Sequence, residues 1–204
     1  MKKWIKRILI IVFLVSIAAF AICAPTINKG YKMYKTATEK ISVEDMVEKM
    51  RANPDYVKIE GISSTFLEAL LHSEDRRFYY HYAIDPIALT RAVIANISSG
   101  KYSQGGSTIT QQLAKNMYFS FEKRVERKIA ELFVAFQLEN KYTKDEILEL
   151  YCNQVYFGEN CYGVKQASAY FYHTTPQRLN ETQSEDLVSA LKAPSLSNPS
   201  TQAE

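Results

Sequence analysis

Residues 127–136 read RKIAELFVAF, and this stretch decides the fold class because it carries the clearest helical pattern in the sequence. Large apolar side chains recur there at the spacing i, i+3, i+4 and i+7, which is the spacing of one face of an α-helix. They are Ile129, Leu132, Phe133 and Phe136. The stretch therefore predicts a helix with one apolar face.

Signals for the start of a helix recur on both sides of this stretch. The candidate caps are Ser42, Thr65 with Glu68, Asp85 before Pro86, Ser107 or Thr108, and Thr143 with Glu146. Gly100 would close the helix that Asp85 opens, and further helices are expected near 166–172 and 185–192. The chain has only seven glycines and six prolines, and no stretch shows sustained strand alternation. We therefore predict an all-α fold.

The first 24 residues form a separate segment. A nearly uninterrupted apolar run at 8–24 would be roughly 25 Å long as a helix, close to the thickness of a bilayer core. The basic residues before it are Lys2, Lys3, Lys6 and Arg7. They predict a single transmembrane helix with a cytoplasmic N-terminus and an extracytoplasmic domain. The alternative is a cleaved signal peptide, since Ala19 and Ala21 resemble a cleavage site.

Beyond the anchor, residues 25–60 are expected to form an extracytoplasmic connector with one short helix, and residues 61–204 the functional domain. A length of 204 residues with 47% hydrophobic side chains suits one compact domain plus an anchor. The net charge of +3 gives no indication of nucleic-acid binding. Cys152 and Cys161 are expected to be buried thiols rather than a disulfide, and their spacing matches no metal site.

Glu74 is the first candidate for chemistry. It follows a strongly apolar helical stretch at 66–71 and lies beside Asp75 and two arginines, with His81 further along. Partial burial of an acid at the end of such a helix would suit proton transfer near neutral pH. The plainer interpretation is a solvated charge cluster at a helix end, which is the commoner case in proteins.

Residues 105–116 read GGSTITQQLAKN and place many polar side chains around a helix that starts beside two glycines. Backbone N–H groups at such a start, together with hydroxyls, amides and Lys115, would make an anion pocket. The glycine-to-lysine spacing does not match a Walker phosphate loop. A polar surface helix would explain the stretch equally well if nothing else required a phosphate site.

A group of cations immediately before Glu131 does indicate such a site. These residues are Lys123, Arg124, Arg127 and Lys128. Arg127 and Lys128 lie four and three residues before Glu131, within reach of it on a helix. With Glu131 they form either a surface ion pair, which contributes a few tenths of a kcal/mol, or a group of cations that surround the carboxylate and bind a pyrophosphate.

Together these residues indicate one class of reaction. Two carboxylates are the usual equipment for chemistry at a sugar carbon with an oxocarbenium-like transition state. A hydrolase uses one of them to protonate its leaving group, whereas a sugar pyrophosphate leaves as an anion and needs positive charge. One carboxylate is then free to deprotonate the acceptor hydroxyl.

At these residues the sequence resembles the peptidoglycan glycosyltransferase family, which comprises the transglycosylase domains of penicillin-binding proteins and their monofunctional relatives. The resemblance runs from about Ser63 to Pro199 in five blocks that follow the family order. The blocks are EDRRFYYHYAIDP at 74–86, GGSTITQQLAKN at 105–116, RKIAE at 127–131, KDEILELYCNQVYFGENCYGVKQASAYFY at 144–172 and APSLSNP at 193–199. The second block is highly specific by itself.

The resemblance implies a lysozyme-like α fold with a membrane-embedded apolar flap, and polymerisation of lipid II into β-1,4 glycan with inversion at C1. It matches Glu74 to the general base that activates the 4-hydroxyl of the acceptor, and Glu131 to a second essential acid near the donor pyrophosphate. The positions that match the substrate cleft are Ser107, Thr108, Gln112, Lys115, Asn116, Lys123, Arg124, Arg127 and Lys128. Asp75, Phe78 and His81 match the first family motif.

The sequence departs from the family pattern at three places. Ala83 stands where glycine is usual, and Lys123 where arginine is common, although Arg124 is adjacent. The sequence ends five residues after Pro199, where the family continues with an arginine-rich helix. It has no room for a transpeptidase domain, so the resemblance implies a monofunctional enzyme.

Two other functions remain open at this stage. A lytic transglycosylase or lysozyme-like enzyme would cut glycan, but the cationic stretch at 105–128 argues against it. A catalytically impaired scaffold of the cell-wall synthesis complex is the other, and the retained Glu74, Lys115 and Glu131 argue against that.

The expected partners are lipid II, the growing glycan strand, membrane lipid and other cell-wall synthesis proteins. No cofactor is obligatory, although a divalent cation (Mg or Mn) could bridge the pyrophosphate. The apolar segment 117–121 (MYFSF) is expected either to contact lipid beside the cleft or to belong to the core.

Overall fold

The computed structural model describes residues 3–101, 105–120, 124–192 and 199. The helices in these ranges are α1 (Lys3–Lys40), α2 (Val43–Arg51), α3 (Ser64–Glu74), α4 (Pro86–Ser99), α5 (Ile109–Tyr118), α6 (Val125–Lys141), α7 (Lys144–Gln154), α8 (Gly163–Tyr172) and α9 (Glu181–Lys192). Short 3-10 turns lie at Ile59–Gly61, Phe78–Tyr80 and Pro176–Arg178. Pairing of extended backbone within the described ranges is limited to an antiparallel bridge between Tyr156 and Tyr162. The all-α prediction is confirmed.

Most predicted helix starts and ends are present. Thr108 and Thr143 each form a reciprocal capping box with the residue three positions later. Asp85 accepts two backbone N–H groups of the turn that Pro86 opens. The prediction of a capping box at Thr65 is wrong, because the cap residue of α3 is Ser63, two residues earlier. Ser63 makes no capping bond and donates its hydroxyl to the Leu179 carbonyl instead.

The first helix extends past the expected boundary between the anchor and the connector at residue 25. Helix α1 continues through Pro25 to Lys40, so much of the expected connector is helical. A proline inside a helix removes one backbone hydrogen bond, but the later part of α1 gains extensive packing against α6. Tyr31 and Tyr34 both contact the Phe133 ring, with centroids 5.2 and 5.5 Å from it. The free energy gained by packing α1 against α6 therefore exceeds the cost of the hydrogen bond lost at Pro25.

The apolar stripe that the sequence shows on α6 faces this anchor helix, at least at Ile129 and Phe133. The side of α6 that is buried in the domain carries smaller and charged residues. They are Arg127, Ala130, Glu131, Val134, Ala135 and Leu138. Helix α6 thus contacts α1 on one face and lines the interior of the domain on the other.

The core of the domain lies around α5, which packs on α6 and α7, while α3 packs on α9. Cys152 and Cys161 are buried free thiols, as predicted. Met117 is also buried, Tyr118 and Phe119 pack against the core, and the Tyr118 hydroxyl donates to the Ile41 carbonyl. The core interpretation of 117–121 is therefore favoured for the residues up to Phe119. Phe121 lies outside the described residues.

A different segment exposes a large apolar surface. Helix α4 presents a run of apolar side chains to solvent, which we call the α4 apolar face. It consists of Ile87, Leu89, Val93, Ile94 and Ile97. Contiguous exposed apolar surface of this kind marks an interaction site on a folded protein.

The contact between α1 and α6 gives a first testable prediction. A Cβ atom on Gly30 would lie 2.6 Å from the Ile129 side chain and 2.8 Å from the Glu126 carbonyl oxygen. We expect Gly30→Val to separate the two helices and to lower the free energy of unfolding by about 1–3 kcal/mol. Thermal unfolding in detergent measures this, and Lys35→Val, at an exposed position of α1, controls for the helix propensity of valine. Equal melting temperatures of the two variants would contradict the close contact.

Candidate active site

Glu74 is the last residue of α3 and is half-buried. Its Oε2 accepts a 3.0 Å hydrogen bond from the Gln112 amide of α5. The other oxygen, Oε1, has only a long contact of 3.4 Å with the Ser73 hydroxyl. The carboxyl group is thus held at one oxygen and weakly engaged at the other, which is the oxygen able to take a proton.

Asp75, the next residue, connects this acid to the start of α5. Its side chain is buried; Oδ1 lies 2.8 Å from Nε2 of His81, and Oδ2 accepts the backbone N–H of Ile109 at 3.0 Å. The Nδ1 atom of His81 contacts the Tyr82 carbonyl oxygen. Asp75 and His81 therefore position Glu74 and the first turn of α5 relative to one another.

Several other residues of the first motif also have structural partners. Phe78 is buried beneath the Lys144 ammonium, whose nitrogen lies 4.3 Å from the ring centroid. Arg77, which the sequence placed beside Glu74, forms its ion pair with Asp85 at 2.7 Å. Thr108 caps α5 and donates its hydroxyl to the Ala83 carbonyl at 3.0 Å. These contacts hold the loop before α4 against α5.

The second acid, Glu131, lies in the middle of α6 and is 0% exposed. Arg127 forms an ion pair with its Oε1, and the Lys128 ammonium lies 2.7 Å from its Oε2. Lys128 also donates to the Ser107 hydroxyl at 2.8 Å, which connects α6 to the segment before α5. The carboxylate is therefore engaged by two cations, and this arrangement favours a structural and electrostatic role over proton transfer.

Lys115 lies on α5 between the two acids. Burial lowers its pKa from the usual value; Glu131 opposes this shift, the neighbouring Lys128 and Arg127 add to it, and Glu74 opposes it more weakly. The lysine is therefore within electrostatic range of both acids. Its positive charge therefore lies near the half-buried carboxyl of Glu74, and Lys128 lies close to the lysine on the side of Glu131.

The remaining predicted site residues are less closely tied to this centre. Asn116 is half-buried on α5, and Arg124 is exposed at the start of α6. Lys123 lies outside the described residues. Tyr151 of α7 is a residue that the sequence reasoning missed. It is fully buried and donates its hydroxyl to Gln112 at 3.0 Å, and no spacing rule signals such a contact between two helices.

Ligand atoms of Asp75, His81 and Asp85 lie within 4.8 Å of one another, as in many metal sites. Each side chain already has partners, however. Asp85 accepts from Arg77 and caps α4, while Asp75 and His81 bond to each other. The three residues therefore fit a hydrogen-bonded network better than a metal centre.

The domain is helical, has a half-buried carboxyl group near a lysine, and has a second, buried acid paired with two cations. These are the groups that glycosyl transfer from a pyrophosphate needs. The sequence pattern of the family described as Transglycosylase matches residues 41–204. The chain belongs to this family, the peptidoglycan glycosyltransferases that its sequence resembles.

Curated relatives agree with this assignment. The chain is 42% identical to penicillin-binding protein 1A of Aquifex aeolicus over 144 residues, which are 71% of this chain and 20% of that protein. It is also 42% identical to penicillin-binding protein 1A of Escherichia coli, over 70% of this chain and 17% of that protein. A Cupriavidus necator protein that its name proposes to be a transglycosylase is 39% identical, over 80% of this chain and 70% of that protein. The chain spans about a fifth of the length of the penicillin-binding proteins it matches.

The Asp75–His81 pair predicts a pH dependence of stability. Burial alone lowers the pKa of His81, but the hydrogen bonds with Asp75 and the Tyr82 carbonyl and the charge of Asp75 raise it above the usual value. A pKa raised by folding stabilises the protein below the unfolded value of about 6.5, and this contribution is lost as pH rises through the higher folded value. We expect wild type to exceed His81→Asn in melting temperature by more at pH 6 than at pH 9. The exposed His173 is the control, and His173→Asn should show a much smaller change with pH; an equal gap at both pH values would contradict a charged pair.

Proposed function

We propose that this chain polymerises lipid II into β-1,4 glycan, with inversion at C1 and release of the lipid pyrophosphate. The position of Lys115 carries this proposal, because the half-buried lysine lies within electrostatic range of both Glu74 and Glu131. In this proposal Glu74 is the base, and the departing pyrophosphate would lie next to it, at Lys115. Membership of the transglycosylase family supports the same reaction.

In the proposed reaction, Oε1 of Glu74 accepts the proton of the acceptor 4-hydroxyl as that oxygen bonds to C1 of the donor sugar. The bond between C1 and the pyrophosphate oxygen breaks on the opposite face, so the configuration at C1 inverts. The leaving group carries away the electron pair as an anion. Lys115 and Lys128 would stabilise that charge, and Glu131 would keep the cations in place.

We propose that a divalent cation, Mg or Mn, would bind only together with the pyrophosphate of the substrate. Glu131 is already engaged by Arg127 and Lys128, and the Asp75 network has its own partners. The phosphate oxygens of the substrate would therefore supply most ligands of such an ion.

The membrane part of the proposal rests on α1 and α4. Helix α1 is long and apolar enough to cross a membrane. We propose that it anchors the chain with the basic N-terminus in the cytoplasm and the domain outside. The α4 apolar face would then lie in the outer surface of the same bilayer and receive the lipid end of the substrate.

This membrane contact can be tested with an environment-sensitive dye on a cysteine at position 97. In full-length protein carrying Cys23→Ser and reconstituted in liposomes, dye at Ile97→Cys should show the blue-shifted emission of an apolar environment. Dye at Tyr170→Cys, which is exposed on α8, should show the emission of water. Identical spectra at the two positions would contradict insertion of α4.

Activity is tested by giving the purified full-length chain labelled lipid II and, separately, labelled glycan strands. We expect polymer from lipid II and no cleavage of the strands. Cleavage of the strands would instead indicate a lytic enzyme. A folded chain that leaves both substrates unchanged would indicate a scaffold role and would refute the proposed function.

A further inference from the structure

Tyr151 lies in the middle of α7, on a different helix from Glu74 and Glu131, and is 0% exposed. Burial raises its pKa well above the usual value, so the phenol keeps its proton. A buried hydroxyl needs a hydrogen-bond partner. The partner is Oε1 of Gln112, 3.0 Å away.

Gln112 links Tyr151 to Glu74 through its side-chain amide. Its amide nitrogen donates to Oε2 of Glu74 at 3.0 Å while its oxygen accepts from Tyr151. An ionised carboxylate has no proton to donate, so the NH₂ end of the amide must face it. Turning the amide over would place its oxygen against the carboxylate and take the acceptor away from the Tyr151 hydroxyl.

We propose that Tyr151 is a positioning residue for glycosyl transfer, which holds the Gln112 amide with its NH₂ group toward Glu74. This inference rests on the proposed function, since it assigns Glu74 as the base. The hydrogen bonds from Tyr151 to Gln112 and from Gln112 to Glu74 fix Oε2 of Glu74. Oε1 of Glu74, which has only a 3.4 Å contact to Ser73, is left to accept the acceptor proton. The position of the base is thus set by a third helix that carries none of the charged site residues.

The first test is Tyr151→Phe, which keeps the ring in the core and removes only the hydroxyl. The freed amide can rotate, and Glu74 loses its fixed orientation. Because small errors in the position of a reacting group cost up to about 100-fold, we expect kcat to fall by about 10- to 100-fold while KM for lipid II changes less than about twofold. Tyr172→Phe is the matched control, because Tyr172 donates its hydroxyl to Asp186 at 3.2 Å, in the contact of α8 with α9. Tyr172→Phe should keep the wild-type kcat.

A double-mutant cycle separates positioning from general loss of structure. Gln112→Met breaks the same chain of contacts, so it should lower kcat by a factor similar to that of Tyr151→Phe. In the Gln112→Met background, Tyr151→Phe should then have almost no further effect, because the residue it acts through is gone. Independent effects that multiply would overturn the proposal, as would a Gln112→Met variant with wild-type kcat. The kcat of Gln112→Met tests the proposal even if Tyr151→Phe does not fold.

A measurement without turnover keeps this inference separate from the proposed function. In ¹⁵N-labelled full-length protein in detergent, the Gln112 side-chain NH₂ signal is identified by its loss in Gln112→Met. Its hydrogen exchange should be slow in wild type and in Tyr172→Phe, and faster in Tyr151→Phe. Unchanged exchange in Tyr151→Phe would overturn the positioning role. A wild-type chain that exchanges as expected but does not polymerise lipid II would refute the proposed function instead.

Discussion

Replacing Glu74 with glutamine is expected to lower the rate of glycan polymerisation by at least about 100-fold while leaving lipid II binding largely intact. A sugar hydroxyl is a poor nucleophile at neutral pH, so its proton must leave as the new bond forms, and a positioned base contributes about 10²–10⁴-fold to such a step. Glutamine keeps the size of the side chain and its contact with Gln112 but removes the basicity. The measurement compares the initial rate with labelled lipid II and the binding of lipid II to each variant.

Glu68 provides the control, because it is an exposed acid on the same helix. Glu68→Gln should polymerise at the wild-type rate. If Glu74→Gln also kept that rate, the base would have to be another carboxylate. Asp75 would then be the nearest candidate in the chain, although both of its oxygens are engaged by His81 and the backbone of Ile109.

Lys115→Ala is expected to lower the polymerisation rate by about 30- to 1000-fold, which corresponds to about 2–4 kcal/mol of lost transition-state stabilisation. The lysine is half-buried near two acids, so water replaces its charge only in part when the pyrophosphate leaves. The loss should appear both in donor binding and in kcat. Steady-state kinetics with varied lipid II concentration measures both.

Lys115→Arg should recover only part of this activity, because the planar guanidinium does not replace a compact ammonium group. Lys49→Ala removes an exposed lysine of α2 and should leave the rate unchanged. If Lys115→Ala behaved like Lys49→Ala, the positive charge for the leaving group would have to come from Lys128 and its neighbours.

Local signals in the sequence predicted much of the fold. Capping residues such as Thr108, Asp85 and Thr143 act within their own helix turn, so their pattern is visible without the tertiary structure. The continuation of α1 past Pro25 was not predictable in this way. It depends on packing against Phe133 and Ile129, which lie about a hundred residues further along the chain.

The apolar stripe of α6 shows the same limit for the candidate site. The pattern correctly predicted a helix, but its apolar face at Ile129 and Phe133 packs on the anchor helix. The face with Glu131 is the one buried in the domain. Hydrophobic periodicity identifies a face that must be covered and does not say which partner covers it.

The contacts around Glu74 could not be predicted from the sequence either. The family motif placed Glu74, Gln112 and Lys115 in one cleft, but the pairing of Arg77 with Asp85 and the contact between Tyr151 and Gln112 join different elements. In the sequence Arg77 lies three residues after Glu74. The fold instead uses Arg77 to hold the loop before α4.

The most direct test of the central claim is to follow the product that full-length wild-type protein makes from labelled lipid II and to digest it with a muramidase. We expect strands longer than a dimer, which should be absent with Glu74→Gln. The muramidase should convert these strands to disaccharide units, because they are β-1,4-linked. The proposed function would be contradicted if lipid II stayed monomeric although the wild-type protein is folded and binds it. A product that resists the muramidase would also contradict it.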